Sequence, residues 1–230
     1  MDPLVHSLIA PLRGGLIVSC QAYPGEPMRH PETMAQIAAG VTEGGAVAVR
    51  AQGLADVQLV SARVDVPTIG IWKDGEDGVF ITPTLRHAQA VIAAGADIVA
   101  LDGTLRERPD GLTFTETVRR LREESDVPIM ADCDSLESGL AAAEAGVDIV
   151  GTTLAGYTDA RPKTDGPDLE LLAELVQRLP ETAVVAEGRI HTVEHARAAT
   201  ETGAFAVVVG TAITHPTSIT RWFDQAVRRA

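Results

Sequence analysis

The feature that most constrains the fold of this chain is a repeated glycine that precedes a short aliphatic run. Four such segments begin at Gly45, Gly95, Gly146 and Gly203. Each follows a stretch with helical character, at residues 34–43, 85–94, 136–145 and 193–202. Glycine commonly ends a helix because it adopts positive φ without steric cost. Four further aliphatic runs lie at residues 16–19, 68–71, 128–131 and 183–186. The pattern predicts eight strands alternating with helices, as in a parallel sheet with crossover helices.

The number and even spacing of these strands favour closure of the sheet into a (β/α)₈ TIM barrel. A chain of 230 residues is typical of one such barrel, so residues 1–230 are predicted to form a single domain. The alternative, a doubly wound open sheet, usually has a glycine-rich turn after its first strand, and none follows residues 16–21. Residues 2–12 are predicted to form a short N-terminal helix that covers the N-terminal end of the barrel.

Composition and charge limit the possible partners. The chain is 45% hydrophobic but only 3% aromatic, which predicts an aliphatic core of buried parallel strands. A formal net charge of −13 disfavours nucleic acid as a partner, although a local positive site can still bind a small anion. The two cysteines, Cys20 and Cys133, are too few for a disulfide framework. We find no signal-like or membrane-spanning segment and expect a cytoplasmic protein without membrane contact.

Polar side chains follow nearly every predicted strand. They are Gln21, Arg50, Lys73, Asp102, Asp132, Thr153 and Glu187. In (β/α)₈ barrels the active site lies at the C-terminal ends of the strands. A single polar residue at such a position is commonly only a solvated loop residue, but this many converging groups predict a binding site, with Thr153 among its substrate contacts.

Lys73 and Glu187 follow the third and seventh strands and are therefore expected to face each other across the mouth of the barrel. An opposed base and acid is the arrangement that epimerisation needs, because one group removes a proton and the other returns one on the far side. Lys73 must be neutral to act as a base; burial and nearby Arg50 would lower its pKa, and an ionised Glu187 would raise it. The alternative is a Lys73–Glu187 ion pair that only holds two loops together.

A phosphate site is predicted beside these groups. Gly188 follows the seventh strand, and Gly210 and Thr211 follow the eighth, where barrels often bind phosphate through loop N–H groups. Residues 191–195 match the H-x-x-E-H pattern of some zinc enzymes. Because Thr192 is well suited to capping the following helix, we expect a helix start there and no metal.

The sequence resembles the N-acylglucosamine-6-phosphate 2-epimerases, also called N-acetylmannosamine-6-phosphate epimerases. Three sequence motifs are the most specific part of the resemblance: IVSCQA at residues 17–22, RAQG at 50–53 and EGRI at 187–190. Further matching segments lie at residues 69–73, 81–84, 131–132 and 209–214. The resemblance covers nearly the whole chain. It implies a barrel of the ribulose-phosphate-binding type, a usually dimeric isomerase without a cofactor, and a role in amino-sugar and sialic acid catabolism.

The resemblance also implies roles for single residues. Lys73 corresponds to the family's catalytic base and Glu187 to its partner carboxylate. Substrate-positioning residues are expected at Gln21, Arg50, Asp132 and Arg189. The phosphate group of a phosphorylated N-acyl hexosamine is expected near Gly188, Gly210, Thr211 and His215.

Two positions depart from the family pattern. His215 stands where relatives commonly have an arginine that contacts phosphate, and it is shorter and only partly charged near neutral pH. Gly103 stands where relatives often have alanine, a change that we expect to matter little.

The predicted reaction is removal of the C2 proton of the open-chain sugar by Lys73, with Arg50 holding the enolate and Glu187 returning a proton on the opposite face. Two alternatives stay open: another sugar-phosphate barrel enzyme, such as an aldolase using Lys73 as a Schiff base, and a non-catalytic sugar-phosphate sensor. The long loop at residues 154–167 is a candidate lid.

Overall fold

The computed structural model describes residues 7–228. Its strands are β1 (Leu16–Cys20), β2 (Ala48–Gln52), β3 (Thr68–Ile71), β4 (Ile98–Asp102), β5 (Ile129–Asp132), β6 (Ile149–Gly151), β7 (Ala183–Glu187) and β8 (Ala206–Val209). Its helices are α1 (Pro31–Glu43), α2 (Leu54–Ser61), α3 (Leu85–Ala93), α4 (Phe114–Glu124), α5 (Leu136–Glu144), α6 (Leu169–Arg178), α7 (Val193–Glu201), α8 (Thr211–Thr214) and α9 (Pro216–Arg228). Helices therefore alternate with strands along the chain, as the sequence predicts.

The eight strands form a closed barrel in sequence order. Closure is made by parallel pairing of β1 with β8, in which Leu16 lies opposite Val207. This pairing excludes the open doubly wound sheet and confirms the (β/α)₈ barrel. The four helix-ending glycines have φ values of 100°, 102°, 88° and 102°, so each adopts the positive φ that the sequence predicted for it.

Two aliphatic layers form the core. One fills the space between strands and helices, and the other fills the barrel, with Ile17, Ile69 and Ile149 among its completely buried members. Leu12 belongs to the inner layer and ends a short 3₁₀ turn, Ala10–Leu12. Residues 7–12 are therefore helical and cover the N-terminal end of the barrel as expected. The rest of the predicted N-terminal helix, residues 2–6, lies outside the described residues.

The strands end later than the aliphatic runs suggested. β2 includes Arg50, β5 ends on Asp132 and β7 ends on Glu187, so these charged residues lie within the sheet rather than in the loops after it. Side chains of a strand alternate between its two faces. Because Ala48 faces the inner layer, Arg50 and Gln52 on the same strand also face the inside of the barrel.

The packing around Gly103 differs from the expectation that glycine or alanine would serve equally there. A Cβ at this position would lie 2.8 Å from Cβ of Ala131 and 3.1 Å from Sγ of Cys133, both of which are buried. Neither neighbour is the far end of a flexible chain, so β5 or the segment after β4 would have to shift.

We therefore expect Gly103→Ala to destabilise the protein by about 1–3 kcal/mol, the usual cost of overpacking a core. The matched control is Gly40→Ala on the exposed face of α1, where a Cβ meets nothing within 4 Å. That change should stabilise the helix by up to about 1 kcal/mol. Urea unfolding of both variants checks the difference, and equal stabilities would contradict the packing argument.

Candidate active site

Three charged side chains form the base of the candidate site. Arg50 is 1% exposed, and its guanidinium forms ion pairs with two carboxylates from the other side of the barrel. Its Nη1 donates to Oδ1 of Asp132 at 3.0 Å and to Oε2 of Glu187 at 2.7 Å, while Nη2 donates to Oδ2 of Asp132. One positive charge is thus shared by two carboxylates, which leaves the cluster with a net negative charge when both are ionised.

Thr153 joins the two carboxylates through a single hydroxyl. Its Oγ1 lies 2.7 Å from Oδ1 of Asp132 and 3.1 Å from Oε2 of Glu187, and its one hydrogen can be donated to either. Burial raises the pKa of Glu187, a nearby Arg50 lowers it, and the charge of Asp132 raises it again; the net direction is upward. A carboxyl group with a raised pKa is suited to exchange a proton with a bound substrate.

Lys73 lies apart from this cluster. Its Nζ donates to Oε1 of Gln21 at 2.8 Å, and Nε2 of Gln21 donates to Oγ of Ser19 at 2.7 Å. Burial lowers the pKa of Lys73 to about 8, with the charge of Arg50 acting in the same direction and Glu187 and Asp132 opposing it. Among residues 7–228, Lys73 forms no ion pair with Glu187, which excludes the alternative in which the two only hold loops together.

A pocket of about 620 Å³ opens at the C-terminal ends of the strands. Its walls include eight of the predicted residues outside the buried cluster: Gln21, Lys73, Thr153, Gly188, Arg189, Gly210, Thr211 and His215. Glu187 belongs to both the cluster and the pocket wall. Arg50 and Asp132 are not among the residues that line the pocket: Arg50 bonds to both carboxylates, and Asp132 bonds to Arg50 and Thr153. The substrate contacts expected for both stay predictions.

The comparisons with known proteins show the family of this chain. Residues 34–229 match the sequence model of a family described as N-acetylmannosamine-6-phosphate epimerase. A Cutibacterium acnes protein assigned as an N-acetylmannosamine-6-phosphate 2-epimerase is 65% identical, over 99% of this chain and 100% of the relative. A protein of Caldanaerobacter subterraneus subsp. tengcongensis with the same assignment is 46% identical, over 94% of this chain and 92% of the relative. The solved structure of the N-acetylmannosamine-6-phosphate 2-epimerase from Clostridium perfringens is 37% identical and superposes with a TM-score of 0.90 over 95% of each chain.

The chain belongs to the N-acetylmannosamine-6-phosphate 2-epimerase family. The resemblance identified from the sequence is thereby confirmed.

The expected phosphate end of this epimerase-family pocket is formed by backbone from β7 and β8. Gly188 has a φ of 105°, and Gly210 begins the short helix α8, so the chain can pass close to a ligand at both positions. Thr211 and Tyr23, which comes from the loop after β1, both line the pocket. Three loops therefore meet where the phosphate was predicted.

His215, which stands in place of the family arginine, does not extend freely into the pocket. Its Nδ1 lies 2.7 Å from Oγ of Ser218, and its Nε2 is hydrogen-bonded to the carboxylate of Glu26. The ring of Tyr23 packs edge-on against it with centroids 5.3 Å apart. Both ring nitrogens are thus occupied, so a phosphate contact by His215 would have to compete with these bonds.

Arg189 also has a different environment from the one expected. It follows β7 with a φ of 54°. Its guanidinium donates to the carbonyl oxygens of Ala155 and Gly166 and to Oγ1 of Thr164, at 2.6–3.0 Å, and so ties down both ends of the 154–167 loop. A substrate contact by Arg189 would have to compete with these bonds. The candidate lid is therefore an anchored loop in this structure.

The H-x-x-E-H segment begins helix α7. The side chain of Thr192 accepts a hydrogen bond from the backbone N–H of His195 at 3.2 Å, and the ring of His191 packs at a tilt of 47° against Trp222, with centroids 4.9 Å apart. Within residues 7–228, no group of three or more His, Cys, Asp or Glu side chains is arranged to hold a metal ion.

Sequence reasoning missed several polar residues of the pocket wall, among them Ser19 and Gln52. Ser19 is the last residue of its aliphatic run, and Gln52 follows Arg50, which was already selected. Strand alternation could have found them, because Ser19 shares a face with Gln21, and Gln52 shares one with Arg50.

Proposed function

We propose that this chain interconverts N-acetylmannosamine 6-phosphate and N-acetylglucosamine 6-phosphate by moving a proton at C2. The observation that carries the proposal is that two proton-transfer groups line one pocket from opposite sides of the barrel. Lys73 follows β3 and bonds to Gln21, and Glu187 ends β7 and bonds to Arg50. The names of the relatives supply the substrate. None of the relatives described above is assigned as an aldolase or a sensor.

The proposed reaction begins with the open-chain sugar, whose C1 carbonyl makes the C2 proton acidic. Neutral Lys73 removes that proton from one face, and the protonated form of Glu187 returns one to the other face. Burial favours the required form of each group, since it lowers the pKa of Lys73 and raises that of Glu187. Arg50 acts beneath the pocket by holding the Glu187 carboxyl in position. Backbone N–H groups near Gly188 and Gly210 would hold the phosphate.

The test is incubation of the purified protein with N-acetylmannosamine 6-phosphate in D₂O, followed at C2 by proton NMR. We expect the gluco epimer to form with deuterium incorporated at C2. Epimer formation without deuterium incorporation would contradict proton transfer to solvent-exchanging groups, and absence of any conversion would refute the assignment of the substrate.

A pH profile gives an independent prediction. In either direction the reaction needs one proton on the Lys73–Glu187 pair, carried by Glu187 for one epimer and by Lys73 for the other. Because the interconversion takes up no proton, the ratio of kcat/KM in the two directions does not depend on pH, and both directions should share one profile. We expect kcat/KM to fall as the pH rises above about 8, where both groups are deprotonated. Initial rates with each epimer between pH 6 and 9.5 check this, and a kcat/KM that stays constant or rises above pH 8 would contradict the assignment.

We further propose a homodimer in the cytoplasm. Helix α9 has no buried residue. Its large apolar side chains face solvent: Phe223 is 70% exposed and Val227 is 76% exposed, and Trp222 lies beside them. An amphipathic helix with its apolar side uncovered favours contact with a second copy of the chain. Sedimentation of the protein and of Phe223→Asp distinguishes a dimer through α9 from a monomer.

In residues 7–228, no helix is both long and apolar enough to cross a bilayer.

A further inference from the structure

The side-chain amide of Gln52 lies in the wall of the pocket, and within residues 7–228 it forms no hydrogen bond. Gln52 is 7% exposed and lines the pocket. Three other polar side chains of the pocket wall have partners: Lys73 has Gln21, Gln21 has Ser19, and Thr153 has both carboxylates. A glutamine amide can form up to four hydrogen bonds, and here its donors and its acceptor are open to the pocket. Gln52 is therefore placed to bind a ligand.

The position of Gln52 shows which part of the ligand it meets. On β2, Gln52 lies opposite Ile71, the last residue of β3, and Lys73 follows Ile71 by two residues. On the other side, β1 pairs Cys20 with Ala51, so that the next residues of the two strands are Gln21 and Gln52. Gln52 thus flanks the Lys73–Gln21 pair, and a carbon whose proton is removed by Lys73 brings its own substituents next to Gln52.

Two groups close to C2 are candidate partners for Gln52: the C1 oxygen and the acylamino group. The C1 oxygen gains negative charge when C2 is deprotonated, and a neutral amide stabilises such charge less than a cation does. The acylamino nitrogen and carbonyl are neutral and present one donor and one acceptor, which a glutamine amide can match with its own acceptor and donor. We infer that Gln52 recognises the acylamino group at C2 and selects 2-acylamino sugars over 2-hydroxy sugars. This inference rests on the proposed function.

The test compares N-acetylmannosamine 6-phosphate with mannose 6-phosphate, which carries a hydroxyl in place of the acylamino group. We expect Gln52→Met to raise KM for the first by roughly ten-fold, to change kcat by less than about three-fold, and to leave the inhibition constant of the second within about two-fold. A general disturbance of the pocket would weaken both compounds equally and would overturn the inference, as would a loss of kcat at unchanged KM. The control is Gln58→Met on the exposed face of α2, for which we expect wild-type constants.

A second variant covers a failure of Gln52→Met to fold. Gln52→Leu also lacks the amide and adds no charge beside Lys73, so KM should again rise while the mannose 6-phosphate constant stays nearly unchanged; any other pattern overturns the inference. Calorimetric binding of both compounds separates this inference from the proposed function. If the wild-type protein binds the acylamino sugar without converting it, the proposed function fails, and the preference lost in the variant still decides the role of Gln52. If the wild-type protein shows no preference, the inference fails.

Discussion

Replacing Lys73 by methionine should lower the rate of C2 epimerisation by at least about a thousand-fold, and Glu187→Gln should do the same. General acid–base groups contribute about 10²–10⁴-fold each, and neither residue has a substitute on its own side of the pocket. Lys73 follows β3 and Glu187 ends β7, on opposite sides of the barrel, and the two have separate hydrogen-bond partners. Neither can therefore take over the face that the other serves.

The pattern of deuterium exchange should distinguish the two variants. If each residue serves one face of the substrate, each variant should still exchange the C2 hydrogen of one epimer with D₂O and should fail to exchange that of the other. The epimer that exchanges should differ between the two variants. Proton NMR of both epimers in D₂O measures this directly.

The matched control is Lys163→Met, which removes an exposed lysine from the loop after β6 without touching either proton-transfer group. It should retain nearly the wild-type rate. Near-normal turnover in the Lys73 or Glu187 variant would refute the two-residue mechanism, and exchange of the same epimer in both variants would show that one residue serves both faces.

Arg50→Leu should have the largest effect on stability, about 3–5 kcal/mol at neutral pH. The substitution leaves the Asp132 and Glu187 carboxylates buried without their shared cation, and breaking a buried pair costs about this much. Activity should also be lost, because nothing then fixes the Glu187 carboxyl. Denaturant unfolding with far-UV circular dichroism measures the free energy of unfolding.

The stability deficit of Arg50→Leu should shrink as the pH falls from 8 to 5. Unpaired buried carboxylates have raised pKa values, so the folded protein binds protons that the unfolded chain does not, and acidification stabilises it. The control is Arg63→Leu, which breaks an exposed pair with Glu32 and should cost no more than about 1 kcal/mol at any of these pH values. A deficit that is small or independent of pH would contradict the role of Arg50 as the shared cation.

The packing at Gly103 shows what a single sequence conceals. Glycine and alanine differ by one methyl group, and the sequence does not show which side chains pack against Gly103. In the folded protein the segment after β4 passes so close to Ala131 on β5 that one methyl group has no space. Strand register and spacing, rather than the local residue preference, decide the cost there.

The sequence by itself determined the order of the elements, the closed barrel and the polar residues at its C-terminal end. It could do so because hydrophobic periodicity, helix-ending glycines and strand ends are local signals. On the same grounds it selected Lys73 and Glu187 as an opposed pair.

Only the tertiary structure decided which partner each polar group bonds to. Arg50 bonds to residues 82 and 137 positions away in the chain, and His215 bonds to Glu26, 189 positions away. Arg189 bonds back to the loop after β6. Each was expected at the substrate, yet each is occupied by a partner that no local pattern indicates, whereas Gln52 is left unpaired in the pocket. A side chain's availability depends on the hydrogen-bond partners that folding brings to it, and those partners come from distant segments.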